Sequence, residues 1–285
     1  MSGYGHVRRA IAVDSEPIDC TFISHLNAII IVNFSPFEEK IIEHILKSHA
    51  PEKHAARSAL RHLERAWKLA DDMPELAIFS AITAEEESAT ALFHVLKRIQ
   101  YKGAELLNIR DHLHKTALHP FLLAVGKYFA EFLNCNTPML EFNIDLSRDN
   151  RELLRISFTV PDGPSKEKWA YPFPPLDFKT SVNDVMHKFE EQLSQLATEK
   201  NASNAFAHVR RLANRRNEIL YASTKGIPHA EGVEQFLIYR RSVVFTNLIA
   251  ILLIAPYPQQ QAFVQQALNA FLSMLKLMPD DYETQ

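Results

Sequence analysis

Glycine is the residue whose scarcity most constrains the fold of this chain. There are 7 glycines among 285 residues, against 18 phenylalanines and long runs rich in alanine, leucine and glutamate. The tight turns of an all-β protein use glycine because it adopts positive φ without steric cost. A chain with so few glycines is therefore more suited to helices. At 47% hydrophobic residues the chain also has enough apolar side chains for a core. The predicted class is mainly α.

The charges of the chain are nearly balanced, with 31 basic and 34 acidic residues and a formal net charge of −3. No overall field draws such a chain to nucleic acid or to an anionic membrane, so binding of that kind has to be local. Cys20 and Cys135 are far apart and form no Cys-x-x-Cys pair, which argues against a disulfide framework and a thiolate zinc site. The first 17 residues lack the apolar core of a signal peptide. A cytoplasmic location with no membrane partner is expected.

Apolar residues at three- and four-residue spacing predict helices along most of the chain. Residues 35–39 combine a capping serine, a first-turn proline and two carboxylates, which indicates a helix start. The apolar run at 243–255 is shorter than the roughly 20 residues that span a bilayer, so it is predicted to be a buried helix. Residues 1–35 stay ambiguous, because 22–34 suits a buried helix and 28–34 suits a strand. The predicted helices cover about 35–49, 51–70, 74–102, 108–132, 181–200, 203–223, 232–255 and 258–278.

Between residues 138 and 177 the apolar period changes to two. Residues 139–146 and 153–160 alternate in this way, and the turn-like segment 147–150 joins them, which predicts a β-hairpin. Two strands alone are marginal in water, so the hairpin is predicted to be an insertion between two helical halves. The expected parts of one composite domain are an N-terminal segment at 1–50 that packs on the bundle, a first helical half at 51–137, the hairpin and Pro-rich insertion at 138–178, and a second helical half at 179–285.

Two predicted helices carry a charged residue in the middle of an apolar stripe. Stepping by three or four residues places Arg216 on the stripe of the 203–223 helix and Glu85 on the stripe of the 74–102 helix. Burying either charge alone costs several kcal/mol, so an Arg216–Glu85 pair is the simplest hypothesis, with Glu86 as the alternative partner. From spacing alone, a structural ion pair explains this pattern better than a catalytic pair does.

Residues 216–221, Arg-Asn-Glu-Ile-Leu-Tyr, resemble the signature of HEPN domains, in which an arginine and a polar residue precede a histidine. Residues 77–91, which contain three consecutive glutamates, are similar to the acidic helix of the AbiV-like branch of that superfamily. The resemblance spans about 55–275 and implies an up-and-down helical bundle of HEPN type with the β-hairpin inserted. In that superfamily the motif lies where two protomers meet, and many members cleave RNA without a metal or other cofactor. A homodimer without cofactors is therefore expected.

The resemblance assigns roles to the residues of the motif. It places Arg216 on the phosphate or the transition-state charge and Asn217 in an orienting role. Glu85, the predicted partner of Arg216, completes the candidate catalytic residues together with Tyr221. Tyr221 stands where the family has histidine, and the ordinary pKa of tyrosine, near 10, makes it a poor base at neutral pH. The expected function is a HEPN-like protein of a bacterial defence or stress system, a toxin or phage-defence abortive-infection protein that acts on or binds RNA. The alternative is a catalytically inactive helical dimerisation or protein-interaction module.

Local positive charge accompanies the motif. Residues 203–225 hold five Lys or Arg and one Glu, a basic stripe that predicts RNA binding, although a solvated helix face explains it equally well. The candidate RNA-binding residues are Arg210, Arg211, Arg215 and Lys225.

Other patterns were weighed and set aside. Arg57 and His62 also have the motif spacing, but they lie in another predicted helix and the match is attributed to chance. His112, His114 and His119 are interpreted as polar positions at a helix start that contact anions, because residues two apart on a helix point about 200° from each other and form no metal face. The sequence contains no Glu-x-x-His pair, no glycine-rich phosphate loop and no Gly-x-Ser-x-Gly elbow, which argues against di-iron, common nucleotide-binding and α/β-hydrolase enzymes.

Overall fold

The computed structural model of the protein describes residues 34–132, 138–145, 150–161, 167–199, 205–220, 230 and 232–276. The mainly α prediction is confirmed, with a small antiparallel sheet beside the helices. The ambiguous segment before residue 34, both cysteines, Tyr221 and Lys225 lie outside the described residues. The helices are α1 (Pro36–Leu46), α2 (Ala50–Leu69), α3 (Pro74–Arg98), α4 (His112–Phe132), α5 (Glu190–Glu199), α6 (Ala205–Leu220), α7 (Val233–Ile254) and α8 (Ala262–Lys276).

The start of α1 forms as predicted, through a capping box. The Ser35 side chain accepts a hydrogen bond from the backbone N–H of Glu38 at 3.3 Å, and the Glu38 carboxylate accepts one from the backbone N–H of Ser35 at 2.7 Å. Arg241 of α7 also binds this carboxylate, through Nε at 2.8 Å. Burial alone would raise the pKa of Glu38, but the hydrogen bonds from Arg241 and Ser35 outweigh it and hold the pKa below its ordinary value. One carboxylate therefore caps α1 and ties it to α7.

Helices α2 and α3 form an extensive hairpin, and alanines of both helices are buried. Ala59 and Ala66 of α2 and Ala77 and Ala84 of α3 are completely buried. Side chains this small let two helix backbones approach closely. The packing fixes α2, so that its opposite face is presented to solvent on a rigid support.

Helix α7 lies against α1, α2 and α3 and supplies much of the core, including Leu237, Val244, Leu248 and Ile251. Among the described helices it is the one long and apolar enough to cross a membrane by length and composition alone. Of its most apolar 18-residue window, 61% is buried inside the protein, and the core helix of a globular protein passes the same test. The prediction of a buried helix at 243–255 is confirmed.

The predicted β-hairpin is also present, as β1 (Met139–Asp145) paired antiparallel with β2 (Arg151–Pro161). A third strand that was not predicted, β3 (Glu167–Ala170), pairs with the far end of β2. The ring of Phe142 in β1 stacks on His44 of α1 at 4.8 Å, which attaches the sheet to the helices.

The predicted helix at 181–200 was wrong in its first half. Its first residues form a two-stranded hairpin, β4 (Ser181–Val182) and β5 (Val185–Met186), and α5 begins only at Glu190. Asn183 and Asp184 occupy the turn with φ of 51° and 63°, a left-handed conformation that asparagine and aspartate tolerate better than most residues. Gln266 of α8 holds this segment, because its Oε1 accepts from the Thr180 N–H at 2.9 Å and its Nε2 donates to the Thr180 carbonyl at 2.8 Å.

Candidate active site

Polar side chains from α3, α4 and α7 meet in the interior of the protein. Buried polar groups need hydrogen-bond partners and buried charges need counter-charges, so a cluster of them inside a core calls for an explanation. The buried members come from all three helices: Glu85, Glu86, Ser88, Lys115, Thr116, His119, Arg240 and Asn247. We call this set, together with the more exposed His112 and Tyr239, the α3–α4–α7 polar cluster.

A carboxylate and an imidazole form the outer part of the cluster. His112 Nδ1 lies 2.8 Å and 2.9 Å from the two carboxylate oxygens of Glu86, and Lys115 Nζ lies 3.4 Å from Glu86 Oε2. The Glu86 side chain is 6% exposed, whereas the His112 side chain is 51% exposed. A buried carboxylate that binds Nδ1 sets the orientation and tautomer of the ring and leaves proton exchange to Nε2. This arrangement suits general acid–base catalysis on a molecule that approaches from solvent.

A fully buried ion pair lies deeper. Arg240 Nη1 donates to Glu85 Oε2, and both side chains are 3% exposed. Burial lowers the pKa of Arg240 to about 10, so the guanidinium remains charged at neutral pH. It also lies over the ring of Phe236 at 4.8 Å, a cation–π contact. Within the described part of the chain, Glu85 Oε1 and Arg240 Nε have no hydrogen-bond partner.

Two further hydrogen bonds join the helices around this pair. Tyr239 Oη lies 2.7 Å from His119 Nε2, and the rings meet edge to face at 5.4 Å. Burial raises the pKa of Tyr239, so its hydroxyl keeps its proton at neutral pH and can donate it to the imidazole. Asn247 Nδ2 donates to Ser88 Oγ at 2.8 Å. The cluster therefore has a half-exposed end at His112 and Tyr239 and a fully buried end at Ser88 and Asn247.

The residues predicted from the sequence are only partly described. Glu85 is buried, as predicted, and the cation bound to it in the described structure is Arg240. The predicted partner Arg216 belongs to α6, which packs against both α3 and α4. Arg211 is exposed and Arg210 is half-buried. The side chains of Arg215, Arg216 and Asn217, and all of Tyr221 and Lys225, lie outside the described residues.

The spacing of His112 and His114, two residues apart, gave no sign of the contact between His112 and Glu86. His114 does point elsewhere, since its Nδ1 accepts from the backbone N–H of Asn108 at 3.1 Å. The informative spacing is that of His112, Lys115, Thr116 and His119, which follow the i, i+3, i+4, i+7 pattern of one helix face. Of the anions expected near the three histidines, Glu86 contacts His112 and Asp111 lies 3.7 Å from His114, whereas the described contact of His119 is with Tyr239.

Arg240 had a similar signal in the sequence. It lies on one stripe of α7 with Leu237, Val244, Asn247 and Ile251, all of which are buried. A charged residue on that stripe needs a buried partner for the same reason as Glu85 does. The signal was hard to recognise because Arg240 and Arg241 are adjacent, and only Arg240 lies on the buried stripe.

Within the described residues, no group of three or more His, Cys, Asp or Glu side chains is arranged to hold a metal ion. Comparisons with protein-family models, with curated proteins and with solved structures found no match to the chain. The functional conclusion therefore depends on the side-chain geometry of the α3–α4–α7 polar cluster.

Proposed function

We propose that the protein is a HEPN-like, RNA-acting protein of a bacterial defence or stress system, with His112 and Glu86 at its catalytic centre. The observation that carries the proposal is the contact between a buried Glu86 carboxylate and the Nδ1 of a half-exposed imidazole. Helix α6, which bears the Arg216-Asn217 motif, packs against the two helices that hold this pair. The motif helix and the acid–base pair therefore share α3 and α4 as neighbours.

The reaction that suits these groups is cleavage of RNA by its own ribose. His112 Nε2 accepts the proton of a 2′-hydroxyl, and the 2′-oxygen attacks the adjacent phosphorus. The bond from phosphorus to the 5′-oxygen breaks, and that oxygen takes up a proton from solvent water, while His112 returns the proton it accepted to solvent. The products are a 2′,3′-cyclic phosphate and a 5′-hydroxyl. Arg216 is assigned to the negative charge of the phosphorane-like transition state, as the family resemblance implies.

His112 also accounts for the departure of the motif from its family. Tyr221 replaces the expected histidine, and a phenol with an ordinary pKa near 10 is a poor base at neutral pH. In this proposal α4 supplies the imidazole instead, held by Glu86 of α3. Tyr221 is then free to serve as a hydrogen-bond donor.

The test is cleavage of single-stranded RNA by the purified protein, with wild type compared with His112→Gln, Glu86→Gln and Arg216→Ala. General acid–base catalysis contributes about 10²–10⁴-fold, so His112→Gln should slow cleavage by about 100-fold or more. The matched control is His49→Gln, because His49 is an exposed histidine at the start of α2 that makes no side-chain capping bond. An RNA with 2′-deoxyribose at the cleaved position should stay intact.

Two results would contradict the proposal as a whole, and a third would contradict its mechanism. One is wild-type protein that leaves all RNA intact, and the other is a His112→Gln variant that folds normally by circular dichroism and cuts at the wild-type rate. Products that end in a linear 3′-phosphate from the start of the reaction would exclude attack by the 2′-oxygen.

A second candidate function, helical dimerisation or protein interaction without catalysis, is favoured by exposed apolar side chains near the starts of α3 and α7. Met73, Leu76 and Ile238 are each exposed, and clusters of such side chains mark interaction surfaces. The homodimer with its α6 helices facing each other remains a prediction, which sedimentation velocity at micromolar concentration checks. A dimer that neither cuts nor binds RNA would favour this second function.

A further inference from the structure

One face of α2 carries cationic side chains that the proposed acid–base site does not use. Arg57, Arg61 and Arg65 are exposed and recur every four residues, so they form a row along the helix. With histidine and serine side chains between them they line a concave surface of about 400 Å³. We call this surface the α2 cationic face, and its described lining is His54, Arg57, Ser58, Arg61, His62 and Arg65.

The carboxylates of α2 do not neutralise this face. Glu52 is buried and receives a hydrogen bond from Arg98 Nε at 2.8 Å. Glu64 is the one exposed acid of the helix. Lys53 and Lys68 lie near the two ends of the row and add to its positive charge. In a chain with a net charge of −3, this is a local concentration of cations of the kind that binds polyanions.

The α2 cationic face is held rigid by the packing beneath it. Ala55, Ala59 and Leu63 are buried on the opposite side of the helix, towards α3. Ser80 of α3 donates to the carbonyl of His62 at 2.9 Å and lies 3.4 Å from its Nδ1. Burial, helped by the neighbouring Arg65 and opposed by Glu87 of α3, lowers the pKa of His62, so the imidazole is neutral at neutral pH and offers hydrogen bonds. The charge of the face comes from its guanidinium groups.

The arrangement selects among polyanions. Residues four apart on a helix are about 6 Å apart along its axis, so the three arginines present a straight row about 12 Å long. Guanidinium groups bind phosphate oxygens with two parallel hydrogen bonds, and the imidazole rings of His54 and His62 beside them offer flat surfaces to bases. The described lining has no apolar side chain, whereas a helix that binds a lipid surface needs an apolar face to insert. A straight row on one helix also follows one strand better than the two strands of a duplex.

We infer that the α2 cationic face binds the phosphodiester backbone of single-stranded RNA, with Arg57, Arg61 and Arg65 each on one phosphate. The inference rests on the proposed function and deepens it, since it assigns the surface that holds the substrate strand. It also gives a role to the Arg57 and His62 spacing. In this reading the two residues belong to strand binding, and the acid–base step stays with His112.

Binding is measured separately from cleavage by fluorescence anisotropy with a 2′-O-methyl single-stranded RNA, which has no free 2′-hydroxyl. The triple variant Arg57→Gln/Arg61→Gln/Arg65→Gln should bind all sequences more weakly. The slope of the logarithm of the association constant against log salt concentration is negative, and its magnitude should decrease by about 2. This corresponds to about 0.7 for each of the three phosphate contacts with a single strand. The matched control, Lys47→Gln/Lys102→Gln/Lys276→Gln, removes the same charge from exposed positions elsewhere and should keep the wild-type slope.

Three outcomes would overturn the inference. In the first, the arginine variant is folded by circular dichroism and binds with the wild-type affinity and salt slope. In the second, the lysine control loses as much RNA affinity as the arginine variant. In the third, an acidic peptide of equal charge competes as well as unlabelled RNA does, which makes the face a site for acidic proteins. Absence of cleavage in the presence of normal binding overturns the proposed function alone. Normal cleavage together with unchanged binding by the arginine variant overturns the α2 assignment alone.

Discussion

The α3–α4–α7 polar cluster and the α2 cationic face are both rich in ionisable side chains, but they differ in what satisfies the charges. In the cluster, each buried cation lies against a carboxylate, Arg240 against Glu85 and Lys115 against Glu86. On the α2 cationic face the arginines point into water, and the lining described for that surface contains no acid. Water serves as the partner on the surface, whereas protein groups have to do so in the interior. The difference separates charges that the fold requires from charges that are left for a ligand.

The largest expected effect is on the stability of the buried pair. Glu85→Gln leaves the Arg240 guanidinium in the core without a counter-charge and should lower the free energy of unfolding by about 3–5 kcal/mol. Urea denaturation followed by circular dichroism measures the change. A stability within about 1 kcal/mol of wild type would show that water reaches the guanidinium.

The double variant Glu85→Met/Arg240→Met sharpens this test. It removes both charges and fills similar volume, so it should be more stable than Glu85→Gln and close to wild type, as when buried pairs are replaced by apolar residues. If the separate effects of Glu85→Met and Arg240→Met simply add up to the effect of the double variant, the residues do not interact and the pair is not what satisfies the buried charges.

An intermediate effect is expected at Glu38 and Arg241, whose pair lies between the two extremes of exposure. The pKa of Glu38 is held below its ordinary value of 4.5, so the pair stabilises the folded state above that pH, and the contribution is lost as pH falls through the lowered pKa. Glu38→Gln should cost about 1.5 kcal/mol at neutral pH and progressively less as the solution is acidified below pH 4.5. Unfolding free energies of both proteins between pH 3 and 7 test this, and parallel curves would contradict it.

The smallest effect on stability is expected from the α2 cationic face itself. Each of Arg57→Gln, Arg61→Gln and Arg65→Gln should change the unfolding free energy by no more than about 0.5 kcal/mol, because the side chains are exposed. Thermal melts of the three single variants measure it. A large loss at any of these positions would show that its arginine is part of the fold, which would erase the contrast with Arg240.

Local chemistry allowed several features to be predicted from the sequence. The Ser35 cap, the hairpin of β1 and β2, and the buried position of Glu85 all depend on residues near one another in the chain. The turn at Asn183 was missed because the apolar spacing that follows it continues smoothly into α5. Sequence spacing carries no signal for which helix faces which, so nothing in the chain near Glu85 pointed to Arg240, 155 positions away.

The α3–α4–α7 polar cluster was harder to predict because, on each helix taken separately, its residues form no recognisable motif. His112 becomes notable only when Glu86, from another helix, is placed beside it. The row of polar residues on α4 could have indicated a polar interior face. The carboxylate that completes the pair is a property of the tertiary packing.

Asn247 helps to fix the position of α7 against α3. Residues 243–254 are apolar on nearly every side, so hydrophobic contacts alone would tolerate rotation of the helix or its displacement by a turn along α3. Either movement would separate the Asn247 amide from the Ser88 hydroxyl and the Arg240 guanidinium from its carboxylate, stranding polar groups in hydrocarbon. The polar residues thus fix both the rotation of α7 about its axis and its position along α3. That rotation is the one that directs Tyr239 towards α4.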